Sequence, residues 1–291
     1  MRFCIHGNPA NRTAGNAARI LFAFLILCAG AAAQTGEPTN AQQAAKQQAA
    51  LAGITSEMQA AETERRAAMS PDELKWELVL EANLGNFYLP LYYTDKDAHH
   101  ETAWDYVRDD PRLPRMLIIG DSISRGYTLP VRHALAGKVN VHRAPANCGP
   151  TASGLKNLNT WLGNGKWDVI VWNFGIHDRE TDPDVYRTNL EIILSQLQKT
   201  GASIVWVRTT PAPPSPNNHE QYTEIQCQRV NQLADDVMKR HGIAEVDLHA
   251  LVRPRLEELQ LPGNVHFSQA GYELMGAEVA KEVLAVLAGP R

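Results

Sequence analysis

The chain has 291 residues, 44% hydrophobic and 21% charged, ordinary for a soluble globular protein and enough for a sizeable core. Its net charge of −4 implies no basic surface for nucleic acid and is too small to predict a charged partner of either sign.

Arg2, Arg12 and Arg19 precede an apolar run from Ile20 to Ala33, which ends in Ala31-Ala32-Ala33 before Gln34. A basic start, a short apolar stretch and small residues at its end make a secretory signal peptide, residues 1–33, with cleavage expected after Ala33. The mature protein is then exported, periplasmic or extracellular, without stable membrane association. An uncleaved anchor is the alternative, although the run falls short of the roughly 20 apolar residues that span a bilayer. Cleavage removes Cys4 and Cys28 and leaves Cys148 and Cys227, as one disulfide or as two buried thiols. Neither has a cysteine or histidine at metal-ligand spacing, so no metal and no other cofactor is expected.

Residues 34–111 read as a helical and aromatic N-terminal extension. Thr39 to Ala68 is rich in Ala, Gln and Glu, helical where ordered but poor in core residues. Ser70-Pro71-Asp72-Glu73 is a helix start, followed by the amphipathic set Leu74, Trp76, Leu78 and Leu80. Phe87, Tyr88, Tyr92, Tyr93, Trp104 and Tyr106 either pack the extension onto the domain or line a substrate cleft.

From residue 112 to 291, strand and helix patterns alternate. Met116 to Ile119 is a buried strand running into Gly120-Asp121-Ser122, followed by an amphipathic segment from Thr128 to Leu135. Val139–His142 is the second strand, leading through Asn147-Cys148-Gly149-Pro150 to a helix with Leu155, Leu158 and Leu162. Trp167–Trp172 is the third, ending in Asn173-Phe174-Gly175-Ile176-His177-Asp178 before a helix with Tyr186, Leu190, Ile193, Leu194 and Leu197. Ser203–Val207 is the fourth, and a Pro-rich polar loop runs from Thr209 to His219. A helix near Gln221–Arg240, a short strand at Ala244–Val246 and a final helix after His266 close the chain. This predicts a flavodoxin-like three-layer α/β/α sandwich around a parallel sheet of about five strands.

In such a sheet the loops after the strands open on one edge, so Ser122, Gly149, His177 and the late His266 converge there. Their order and spacing resemble the serine, glycine, Gly-x-Asn-Asp and Asp-x-x-His blocks of the SGNH/GDSL hydrolases, over roughly residues 112–288. The resemblance implies that Ser122 is the nucleophile and His266 its base. It also implies an oxyanion hole built from the Ser122 amide, the Gly149 amide and a side chain in the third block. Two positions depart from the pattern. His177 replaces the usual asparagine, leaving His177 or Asn173 to complete the oxyanion hole, and Gly263 stands where the acid is expected. His266 is then oriented by a backbone carbonyl, by another acid, or not at all. Asp121 is expected to be a structural turn acid. Arg125 and Arg143 are read as solvated side chains at the cleft edge, with contact to an anionic substrate the alternative.

The function so implied is an exported serine esterase acting on small acyl groups, acetyl above all, of a small-molecule or polysaccharide ester. A non-catalytic carbohydrate-binding relative, a lipolytic esterase and an acyltransferase are the alternatives.

Overall fold

The computed structural model describes residues 63–213 and 223–289. The segment read as a signal peptide, most of the Ala/Gln-rich stretch and the second half of the Thr209–His219 loop lie outside the described residues. The chain divides into a unit Met1–Ser70, in which residues 63–67 are helical, and a unit Pro71–Arg291 that holds the sheet.

The second unit begins with α1 (Pro71–Asn83), whose first turn carries Asp72 and Glu73 where the helix dipole favours negative charge. Helix α2 (Gly85–Asp97) follows at once, despite an internal Pro90. The sequence pattern assigns no helix here, since aromatic residues are middling helix formers. Burial overrides that preference: Leu80, Leu84, Tyr92 and Trp104 form a small core, with Trp76, Tyr88, Leu89 and Tyr93 packed against it. The Trp76 indole donates to the Trp104 carbonyl at 2.7 Å.

The sheet contains β1 (Arg115–Ile119), β2 (Asn140–Arg143), β3 (Val169–Trp172), β4 (Ser203–Val207) and β5 (Ala244–Val246). All pairs are parallel and the order is β2-β1-β3-β4-β5, the flavodoxin-like arrangement. The two-residue period of a strand divides the side chains between two faces. Met116, Ile118, Val169, Val171, Val205 and Val207 share one core with α3 (Ser122–Ala134) and the last helix, α9 (Gln269–Ala288). Leu117, Ile119, Ile170, Trp172, Ile204 and Trp206 face the other core. That side is covered by α4 (Thr151–Leu162), α5 (Pro183–Gln198) and α6 (Glu224–Arg240). Two short helices, α7 (Leu248–Val252) and α8 (Leu256–Leu259), precede the loop to α9.

Helices α3 and α9 approach closely because small residues face the contact. A Cβ on Gly126 would lie 2.1 Å from the Tyr272 ring, and one on Gly276 2.4 Å from Pro130. Ser122 opens α3, and His266 stands just before α9, so this contact governs the distance between them.

Cys148 and Cys227 are free and buried, in separate clusters. Burial pushes each thiol up to about 12, so both are packed, neutral side chains. No helix among the described residues is long and apolar enough to cross a membrane.

Candidate active site

The turn from β1 into α3 leaves no room for a side chain at Gly120, where a Cβ would sit 2.8 Å from Ser124 Oγ. Asp121 is the N-cap of α3, its carboxylate accepting from the Ile123 amide at 2.9 Å, the structural role its position predicts. Ser122 is therefore the first helical residue, and its amide is one of those the helix itself leaves unbonded.

His266 Nε2 lies 2.8 Å from Ser122 Oγ, a hydrogen bond across 144 residues of chain. The loop carrying the histidine is braced on both sides. Leu261 N donates to His266 O at 2.9 Å, Ser268 N to Leu259 O at 2.8 Å, and the Gln260 amide to Pro211 O at 2.8 Å.

An asparagine side chain meets the far side of the histidine ring. Asn264 Oδ1 lies 2.6 Å from His266 Nδ1 and accepts the His266 backbone N–H at 3.0 Å. The side chain two residues before the histidine folds back in an Asx turn, a contact the sequence pattern does not anticipate. Gly263 has a φ of +64°, the left-handed region that disfavours a side chain, so the usual acid position is here part of the turn. A proton on Nδ1 shared with Oδ1 leaves the Nε2 lone pair facing Ser122.

Gly149 is placed by its neighbour: Cys148 N donates to Gly120 O at 3.2 Å, which ties the glycine loop to the Gly120–Asp121 peptide. Its φ of +65° again demands glycine. His177 sits on a single 3₁₀ turn, Ile176–Asp178, with Nε2 3.8 Å from Asp121 Oδ2 and its side chain 29% exposed. Asp178 anchors that turn from beneath, accepting from Thr151 N at 2.8 Å and Thr151 Oγ1 at 2.6 Å. Burial raises the Asp178 carboxyl above the usual carboxylate range, opposed by the Thr151 bonds. Asn173 is directed elsewhere. Its amide nitrogen donates to Val207 O at 2.7 Å and Thr209 Oγ1 at 3.3 Å, tying β3 to the end of β4. Of the two candidates for the third donor, Asn173 spends its amide nitrogen on the end of β4, whereas His177 Nε2 faces Asp121 across 3.8 Å.

Arg143 is not solvated, contrary to the sequence reading. It is 1% exposed at the end of β2 and clamps the turn between β1 and α3. Its guanidinium donates to Ser124 Oγ at 2.7 Å, Gly120 O at 3.0 Å and Asp121 O at 2.9 Å. The Asp121 carbonyl also accepts from Ser124 Oγ at 2.7 Å and Arg125 N at 3.0 Å. It belongs to the peptide whose N–H is that of Ser122, so three donors on the oxygen polarise the hydrogen. Sequence gives no sign of this, since an arginine ending an edge strand is ordinarily exposed.

The N-terminal extension also reaches the site. Tyr88 on α2 is half-buried and raised above the usual phenol value, first by burial, with Arg125, Asp121, Ser122 and Arg143 all close enough to bear on it. The extension's aromatics thus divide: Tyr92 and Trp104 are core, while Tyr88 borders Ser122.

A parallel α/β sheet with a serine–histidine contact at its carboxyl edge is the framework of an acyl-transfer hydrolase. The chain belongs to the GDSL-like lipase/acylhydrolase family, whose model matches residues 118–274. Solved structures share the fold. A lipase/acylhydrolase from Enterococcus faecalis is 24% identical, matching 60% of this chain and 96% of its own with a TM-score of 0.52. A GDSL-like lipase from Bacteroides thetaiotaomicron is 15% identical, over 67% and 97% with a TM-score of 0.51. An acetyl xylan esterase is 16% identical, over 58% and 99% with a TM-score of 0.50. No curated protein matches the chain significantly.

Proposed function

We propose that the protein is an exported serine esterase that removes small acyl groups, acetyl foremost, from carbohydrate hydroxyls. The observation that carries this reading is the 2.8 Å contact between His266 Nε2 and Ser122 Oγ. A serine hydroxyl is a weak nucleophile until a base within hydrogen-bond reach takes its proton.

In the first half-reaction Ser122 Oγ attacks the ester carbonyl as His266 Nε2 takes its proton. Asn264 Oδ1 holds the Nδ1 proton and steadies the imidazolium. The oxyanion is met by the Ser122 and Gly149 amides and by the His177 ring N–H. Such donors are worth about 3 kcal/mol each where one has been removed. Collapse of the intermediate breaks the bond to the alcohol oxygen, which leaves with the proton from His266. Water then attacks the acyl-serine, His266 takes its proton, and the carboxylic acid departs as Ser122 is restored.

The acetyl and carbohydrate preference draws on export and on the acetyl xylan esterase that shares the fold. Export rests on the pattern of residues 1–33. Acetate release from acetylated glycans, measured against release from medium- and long-chain glycerol esters, tests the reading. Faster turnover of the acetylated glycans is expected; hydrolysis confined to long-chain lipid esters would overturn it.

A further inference from the structure

Arg125 follows Ser122 by one turn of α3, on the same helical face. It differs from the other arginines near the turn. The terminal nitrogens of Arg143 donate to three oxygens although its Nε, too, is buried without a partner, and Arg132 donates to the carbonyls of Val141, Thr102 and Ala103 at 2.9–3.1 Å. The Arg125 guanidinium has neither an ion pair nor a side-chain hydrogen bond among the described residues, and its Nε is buried without a partner. Two rings fix its place, with the guanidinium carbon 5.6 Å from the Tyr88 centroid and 5.8 Å from that of Trp104. Aromatic faces hold a cation but leave its N–H donors unsatisfied. Arg125 is also the largest charge influence on the hydroxyls of Tyr88, on α2, and Tyr272, on α9, so it stands between the extension and the final helix beside the serine. Asp121, the nearby carboxylate, is occupied by the Ile123 amide and faces His177.

We infer that Arg125 binds a carboxylate on the alcohol portion of the ester, which makes the substrate an O-acylated sugar acid, an acylated uronic acid residue. The inference rests on the esterase reading, in which the small acyl group leaves only the alcohol side to carry the charge. A planar guanidinium matches a carboxylate through two parallel hydrogen bonds. Phe87, 70% exposed and 4.8 Å from the Tyr88 ring, adds an apolar face beside that position for the C–H surface of a sugar ring.

Binding of 4-acetoxybenzoate and its neutral isostere 4-acetoxybenzamide to the Ser122→Ala protein, by calorimetry, tests this without turnover. The carboxylate is expected to bind about tenfold more tightly or better, as a charged hydrogen-bond pair implies. That preference should fall to about one on adding Arg125→Met and survive in part with Arg125→Lys, which keeps the charge. Equal affinity for the two probes, or a preference that survives Arg125→Met, would overturn the assignment. Wild-type hydrolysis of the carboxamide reports separately on the esterase reading: its absence would count against that reading, while the binding ratio still decides the role of Arg125.

Discussion

Asn264 and His266 are joined twice, through the imidazole Nδ1 at 2.6 Å and through the backbone N–H at 3.0 Å. One amide oxygen thus sets both the shape of the turn and the direction of the ring. Asn264→Ala should lower kcat on the order of 100-fold, less than the roughly 10⁴ lost when an orienting acid is replaced elsewhere. Asn264→Asp should retain activity and move the acid limb of kcat/KM to higher pH, because a carboxylate favours the imidazolium. A pH–rate profile of the three proteins checks both; an unshifted limb in Asn264→Asp would separate Asn264 from the base.

The α3–α9 contact predicts a distant way to break the site. Gly126→Ala places a methyl against the Tyr272 ring, forcing the two helices apart. Overpacking of this kind costs about 1–3 kcal/mol, and the displaced α9 carries His266 from Ser122. Thermal melts and kcat should fall together, and Tyr272→Ala on the same background should return part of the stability.

Removing the Arg143 clamp should be felt in stability and rate alike. Arg143→Met deletes three hydrogen bonds while sparing the burial of a cation, for a net loss on the order of 2 kcal/mol. A smaller oxyanion response should accompany it, seen as weaker inhibition by a boronic acid. Ser124→Ala, which removes another donor to the Asp121 carbonyl, should weaken inhibition in the same direction.

Away from the site, Arg208 is shared by Asp235 at 2.9 Å, Asp247 at 2.6 Å and Glu245 at 3.7 Å. Burial first, then the Asp235 charge, pushes the Glu245 carboxyl up to about 7. The folded chain therefore holds a proton that the unfolded chain releases near the ordinary value of 4.5. Stability from this group falls as pH rises from about 4.5 to about 7, then levels. The Tm of Glu245→Gln minus that of wild type should grow between pH 5 and pH 8; a constant difference would contradict the assignment.

The sheet was legible because parallel strands buried on both faces are nearly continuous apolar runs, as in Ile204-Val205-Trp206-Val207. Ser122, Gly149 and His177 stand after such runs, and His266 precedes an evident helix. What sequence did not disclose depends on side chains folding back over short or very long distances. Asn264 acts through a local turn that an acid-centred pattern overlooks. Arg143 is buried between Trp104 of the extension and the turn from β1 into α3. Helix α2 forms because Tyr92 and Trp104 share a core, which residue propensities do not express.

The central claim is that His266 activates Ser122. Reaction of the protein with a fluorophosphonate, followed by intact mass and peptide mapping, tests it most directly. A single adduct on Ser122, absent in Ser122→Ala and formed far more slowly in His266→Ala, is the predicted result. No adduct on the folded wild type, or an adduct formed as fast without His266, would contradict it.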